Sequence, residues 1–184
     1  GELDNVGSPI RTNSGNSYRL GLEVDALVKL TDKVSWRPNI ALSRNKNDDW
    51  YANWNGELRN FGKTDVSYSP EIIAGNILEY RPVKDLEFKL LSKYVGEQYM
   101  SNLENEASKL DGYFINDFNV QYTWKKAPWF KEIIFTGLIN NIFDEEYVSN
   151  GYYYTYDVGN ETFDGAGYYP QATRNFLACV TLKF

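Results

Sequence analysis

Histidine is missing from all 184 residues, and the chain holds one cysteine, Cys179, and one methionine. Without histidine the commonest general base and the commonest zinc ligand are gone, so His-dependent triads and zinc hydrolases are excluded. A lone cysteine excludes an internal disulfide. Positive charge is scarce: 19 Lys and Arg stand against 25 Asp and Glu, for a net charge of -6. Nucleic acid needs a basic face, so no nucleic-acid partner is expected. No stretch approaches the roughly 18 consecutive apolar residues of a membrane-spanning helix. The chain begins with Gly1 rather than Met. It shows no signal peptide, which predicts a mature or truncated chain.

Aromatic residues are plentiful instead. Fifteen tyrosines, ten phenylalanines and five tryptophans make 16% of the chain, while the mean hydropathy is -0.52. Strands that are apolar on one side only would give this mixture, as in a transmembrane β-barrel. In the stretch SYRLGLEVDALVKL (17–30) every even position from Tyr18 to Leu30 is apolar or aromatic, and of the odd positions between them only Leu27 is apolar. Arg19, Glu23, Asp25 and Lys29 occupy the other parity. A period of two is a strand with one greasy and one wet face. Comparable strands are predicted over 34–42, 69–80, 86–95, 113–124, 133–143 and 174–184. Pro38 cannot donate to a ladder, so imperfect pairing is expected there. Both faces of 133–143 are apolar, and the pattern does not orient it.

The connections sort by length. Short turns are expected at 31–33 and 81–85 and a moderately short one at 125–132, with long loops at 45–67, 97–112 and 144–170. Short turns on one side and long loops on the other is the layout of an outer-membrane barrel. Aromatics gather at both strand ends. Trp36, Tyr80, Phe88, Trp124, Trp129, Phe130 and Phe184 lie beside the short turns. Tyr18, Tyr68, Tyr94, Tyr113, Phe114, Phe143 and Phe176 lie near the long loops. Two belts one strand length apart match interfacial girdles. The even face of 18–30 is therefore expected to meet lipid. A charge on such a face near the midplane costs roughly 2–4 kcal/mol, which accounts for its absence.

The long loops hold the binding candidates. Loop 144–170 carries Tyr147, Tyr152, Tyr153, Tyr154, Tyr156, Phe163, Tyr168 and Tyr169 among glycines 151, 159, 165 and 167. Loop 45–67 adds Trp50, Tyr51, Trp54 and Phe61. Tyrosine offers contact area with a hydrogen-bonding tip, which suits a bulky polar ligand. The same rings could instead pack the loops together as a roof. Carboxylates recur in the loops (Asp48, Asp49, Asp144, Glu145, Glu146, Asp157, Glu161, Asp164) without EF-hand spacing, so no metal site is expected. Asn160 to Thr162 match a glycosylation sequon, a three-residue pattern too short to carry weight alone. Cys179 has the wet parity of the last strand and reads as a passive small residue. No pair of carboxylates has a fixed separation, and nothing predicts an enzyme or a cofactor.

Several blocks resemble a known family. They are NVGSPIRTNSGNSYRLGLEVDA (5–26), SRNKNDDW (43–50), SPEIIAGNILEYRP (69–82), LLSKYVGEQYMSN (90–102), LDGYFINDFNVQYTW (110–124), GLINNIFDEEYVSNGY (137–152) and YYPQATRNFLACVTLKF (168–184). In this order they resemble the C-terminal part of TonB-dependent outer-membrane receptors, in a Bacteroidetes-like form. NNIFDEEY and YPQATRNF are the most specific. The resemblance implies an all-β, antiparallel barrel portion, about seven strands of a 22-stranded wall. It implies residues 1–17 in an extracellular loop and residues 18–184 as strands and loops of that one wall. It further implies a plug domain absent from this chain, TonB-supplied energy, and import of an iron-siderophore, haem or cobalamin. The implied partners are outer-membrane lipid, the TonB complex through the plug, the rest of the barrel and the barrel-assembly machinery. The implied location is the outer membrane of a Gram-negative bacterium. That machinery reads a C-terminal aromatic strand, here Phe176, Val180, Leu182 and Phe184. Seven strands cannot close alone, because open edges in hydrocarbon cost several kcal/mol per unpaired group. Two other readings remain open. One is a small structural or adhesive barrel closed by a strand within 1–16. The other is a soluble all-β binding module using the tyrosine-rich loops.

Overall fold

The computed structural model describes residues 15–125 and 129–184. Residues 1–14, and with them most of the expected N-terminal loop and any closing strand, lie outside the described residues.

Seven strands follow one another in a single antiparallel sheet. In spatial order they are β1 (Ser17–Asp25), β3 (Val34–Trp54), β5 (Ile72–Val83), β6 (Leu86–Val95), β9 (Tyr113–Trp124), β10 (Glu132–Asn140) and β13 (Asn175–Lys183). β2 (Val28–Lys29) continues β1 against β3 in the same register. The gap between β1 and β2 lies opposite Pro38. Ala26 donates to the Pro38 carbonyl at 3.1 Å, and proline has no N–H to return the bond. The ladder is interrupted there without a bulge.

The seven strands coincide with the seven expected from periodicity. Register aligns one face across all of them. The row Trp36, Leu78, Leu90, Phe118, Ile139, Phe176 is apolar throughout, each residue paired with the next. The same alignment orients β10. Ile133, Phe135, Gly137 and Ile139 share the apolar face, while Ile134, Thr136, Leu138 and Asn140 share the other. Among the described residues the charges on this face are confined to its loop end, where Arg44 and Lys46 of β3 pair with Leu20 and Tyr18; the rest of the face carries none. Below that end, and apart from its aromatic rings, its described polar side chains form one transverse row, Asn76, Ser92 and Asn116. Ser92 Oγ donates to Asn116 Oδ1 at 2.6 Å within it. Rings line the short-turn end of this face: Tyr80 and Phe88 at 6.2 Å, Tyr122 and Phe135 at 6.4 Å, Phe130 and Phe184 at 5.1 Å.

The opposite face is charged. Arg81 reaches Glu79 at 3.0 Å and also pairs with Glu87, which in turn pairs with Lys89. Among the described residues no hydrophobic core lies beneath the sheet. Among the described residues only Val95, Met100 and Leu110 are buried apolar side chains, while Leu20, Leu22, Phe176 and Leu177 are 61–73% exposed. An apolar sheet face this extended is not stable against water.

The long loops are more ordered than the sequence suggested. The expected loop 45–67 is a correction: β3 runs on to Trp54, turns, and returns as β4 (Glu57–Asp65). Asn55 and Gly56 both have positive φ, 56° and 75°, which is the two-residue type I′ turn that fits strand twist. The expected loop 144–170 is a second hairpin, β11 (Val148–Val158) with β12 (Glu161–Pro170), turning at Gly159 with φ 64°. Segment 97–112 holds a small ladder, β7 (Gln98–Tyr99) with β8 (Lys109–Leu110), and a single 3-10 turn at Glu106–Ser108. Valine at Gly56 places a β-branched side chain at positive φ, a cost of about 1–2 kcal/mol. Gly56→Val is expected to raise amide exchange across 50–62 and leave the seven-strand sheet protected, as hydrogen-exchange mass spectrometry would show.

Candidate functional site

The β11–β12 hairpin has two unlike faces, because alternation continues through its tyrosines. Tyr152, Tyr154, Tyr156, Phe163 and Tyr169 share one face, and Gly151, Tyr153 and Tyr168 share the other.

On the first face the rings form a ladder. Tyr152 and Tyr154 stack at 6.3 Å, Tyr154 and Tyr156 at 6.3 Å, and Tyr156 and Phe163 at 5.7 Å. Tyr169 closes the foot of the ladder, 6.0 Å from Tyr152. Register places Tyr152 opposite Gly167 and Tyr154 opposite Gly165. The rings reach across the strand over these glycines: a Cβ at Gly167 would lie 2.4 Å from Tyr152 Cζ, and one at Gly165 2.6 Å from Tyr154 Cζ. The two glycines therefore seat aromatic rings rather than loosen a loop. All five rings remain 43–53% exposed.

The second face is committed to packing. Asp164 accepts from Tyr153 Oη at 2.7 Å and from Asn105 Nδ2 at 3.0 Å. Burial and the adjacent carboxylate push the Tyr153 phenol well above its usual range. Tyr168 Oη donates to the Ala107 carbonyl at 3.2 Å, and Tyr68 Oη donates to the Gly151 carbonyl at 2.6 Å. Buried Met100 fills the space above Gly151, where a Cβ would meet its sulfur at 2.6 Å.

The two hairpin tips are clasped. Asn55 N–H donates to Thr162 Oγ1 at 2.5 Å, and Thr162 N–H donates back to Asn55 Oδ1 at 2.9 Å. Asp157 accepts from the Thr162 hydroxyl at 2.5 Å and from Gly56 N–H at 3.3 Å. Three excursions distant in sequence, 45–65, 97–112 and 148–170, are thus tied into one unit on one end of the sheet.

At the root of the second hairpin lies a cleft of about 540 Å³. Tyr113, Tyr147, Tyr168, Asp111, Glu145 and Glu146 are among its lining residues. The Tyr113 and Tyr147 rings meet at 4.4 Å, and burial raises the Tyr147 phenol. Arg174 holds the neighbouring Asp144 carboxyl below its ordinary range, through its backbone N–H at 2.8 Å and its guanidinium at 3.2 Å.

The sequence candidates therefore separate. Tyr152, Tyr154, Tyr156 and Tyr169 come together in the ladder. Tyr153 and Tyr168 lie on the packed face, and Tyr168 also borders the cleft. Trp50, Tyr51 and Trp54 belong to β3. Trp54 meets Phe61 edge-on at 5.8 Å, and the Trp50 indole N–H is buried without a partner. Among the described residues no ring contact joins these three to the ladder. Tyr113, expected in an aromatic belt, instead sits on the charged face and lines the cleft. Phe176, Val180 and Leu182 share the apolar face of β13, Phe184 follows its last residue, and all four are exposed. Asn55, Tyr68, Asn105 and Thr162 were not legible as site residues, since their partners lie 59 to 107 residues away.

No protein-family model matches the chain. No curated protein matches it either. Solved structures do. The ferric-catecholate import receptor Fiu from E. coli K12, in its closed form, matches with a TM-score of 0.68 at 17% identity, over 100% of this chain and 23% of that one. The siderophore receptor PiuA from Acinetobacter baumannii matches with 0.66 at 14% identity, over 89% and 21%. The ferric citrate transporter FecA, in its unliganded form, matches with 0.65 at 21% identity, over 88% and 23%. At these identities the likeness is one of fold. The chain spans about a fifth of the length of the solved receptors it matches.

Proposed function

We propose that this chain is the C-terminal wall and mouth of a TonB-dependent outer-membrane receptor that binds a scarce ligand and imports it. The observation that carries the reading is the sheet itself. One face is apolar across seven strands, carries charge only at its loop end at Arg44 and Lys46, and has no core to cover it among the described residues, which suits hydrocarbon. The likeness of fold to siderophore and ferric-citrate receptors supports the same reading, and with it a ligand of the iron-siderophore, haem or cobalamin class. The strand edges at β1 and β13 then pair with the rest of the barrel, since unpaired backbone groups are not tolerated in lipid. The plug and its TonB contact belong to the remainder of the receptor. The hairpin excursions occupy the extracellular end, where the aromatic ladder contacts ligand. The receptor transports and does not catalyse.

The test is uptake by cells carrying the complete receptor. Saturable import of labelled ferric-siderophore, haem or cobalamin is expected, and it should stop when the proton-motive force is collapsed or TonB removed. A protein recovered in the soluble fraction, or import indifferent to TonB, would overturn the proposal.

The terminal strand supplies a second expectation. Phe184 is 89% exposed and touches Phe130 at 5.1 Å. In the assembly-signal role, Phe184→Ser lowers the amount of folded receptor in the outer membrane several-fold, with periplasmic accumulation or degradation. Unchanged abundance on heat-modifiability gels would reduce Phe184 to a lipid-facing side chain.

A further inference from the structure

The receptor reading leaves the chemistry of the ligand open, and charge at the ladder narrows it. Residues 144–173 carry six Asp and Glu and no Lys or Arg. Over the three excursions, 44–71, 96–112 and 141–174, fifteen acidic side chains stand against six basic ones. The chain's negative balance is thus concentrated at this end. Four of those six cations are already engaged: Lys46 with Asp65, Lys63 with Asp48 at 3.4 Å, Lys109 with Glu97 at 2.9 Å, and Arg174 with Asp144 at 3.2 Å. An anionic ligand would meet repulsion and few free cations.

The ladder offers something else. Its rings present negative π-faces, which attract cations, and the attraction grows where water is partly excluded. The same end of the molecule already uses this contact twice. Lys63 Nζ stands 4.8 Å from the Tyr18 ring centroid, and the Arg59 guanidinium stands 5.4 Å from that of Phe61. Tyr152, Tyr154, Tyr156 and Phe163 form a strip of rings that no cation among the described residues covers. On the other face of the hairpin Tyr153 and Gly151 are taken up by hydrogen bonds and packing and Tyr168 turns to the cleft, so the continuous run of exposed rings is on this face.

We infer that the Tyr152–Tyr154–Tyr156–Phe163 strip is the contact surface for a positively charged organic group, an ammonium or guanidinium carried by the imported ligand. The inference rests on the receptor reading. Acidic side chains of the excursions raise the local concentration of such a ligand, and the rings hold it. An anionic ferric complex does not fit this strip.

The test uses the complete receptor in detergent and two probes with the same ring and opposite charge, phenyltrimethylammonium and benzenesulfonate. Saturation-transfer NMR titration is expected to give the ammonium at least about tenfold tighter binding, weakening as salt rises. Replacing Tyr152, Tyr154 and Tyr156 together by leucine should lower ammonium affinity about tenfold, a few-fold for each exposed ring removed. If that variant does not insert, Tyr154→Leu alone should lower it about threefold. Equal or tighter binding of the sulfonate, or ammonium affinity unmoved by the leucine variants, overturns the inference. Either result in a receptor that still inserts and imports leaves the receptor reading intact. Failure of import with cation binding retained separates the two in the other direction.

Discussion

Arginine in place of Phe118 is expected to remove the receptor from the outer membrane. Phe118 stands in the middle of the apolar row, between Leu90 on β6 and Ile139 on β10. In hydrocarbon a guanidinium near the midplane costs about 2–4 kcal/mol. A folded domain has only about 5–15 kcal/mol in hand. The substitution also discards the contact with Phe88, whose ring lies 6.1 Å away. Outer-membrane abundance should fall by about tenfold or more. Gln121→Arg serves as the comparison. Gln121 lies on the charged face of the same strand, paired with Glu87 on one side and Thr136 on the other. A new cation there meets a carboxylate and water, and abundance should stay near wild type. Quantitative immunoblotting of outer-membrane fractions reads both, and equal loss in the two variants would remove the lipid from the explanation.

The second large effect concerns the hairpin. Replacing residues 151–167 by an Asn-Gly turn is expected to leave an inserted barrel that no longer imports. Insertion should survive because β10 and β13 pair directly, from Glu132 with Lys183 to Asn140 with Asn175, without help from the hairpin. Shortening a connection changes its closure cost only slowly. Ligand contact should be lost because the deletion removes four ladder rings and both Asp157 and Thr162 of the tip clasp. Met100, freed from Gly151, becomes accessible, and segment 97–112 loosens locally. Uptake assays and heat-modifiability gels separate the two properties. Import at wild-type rate would make the hairpin decoration and move binding to the charged face of the wall.

Strand count and facing were legible because a sheet with one apolar face demands alternation, and SYRLGLEVDALVKL departs from it only at Leu27. Where both faces are apolar, as at Ile133, Ile134 and Phe135, alternation is silent. Only pairing with Trp124, Thr123 and Tyr122 shows which side chain faces which way. The hairpin over 45–65 did leave a mark, Asn55-Gly56, the commonest I′ turn dipeptide. It was hidden among charged residues that read as a solvated loop. The tyrosine hairpin concealed its alternation by placing tyrosine on both faces. Its glycines looked like flexible punctuation, whereas Gly165 and Gly167 are small because rings lie over them. The clasp between Asn55 and Thr162 had no sequence signal at all. Hydrogen bonds between turns a hundred residues apart follow from strand order and register, not from any local pattern.

Leu90 and Leu91 decide the central claim, that one face of the sheet meets lipid and the other meets water. They are adjacent and chemically identical, so only parity distinguishes them. Leu90 pairs with Leu78 and Phe118, and Leu91 pairs with Ile77 and Asp117. Single nitroxide labels at each position in the complete receptor, reconstituted in bilayers, can be tested with oxygen and with a water-soluble nickel chelate. Residue 90 should be relaxed chiefly by oxygen and residue 91 chiefly by the chelate. Equal access of the chelate to both, or the reverse order, would contradict the membrane-spanning account.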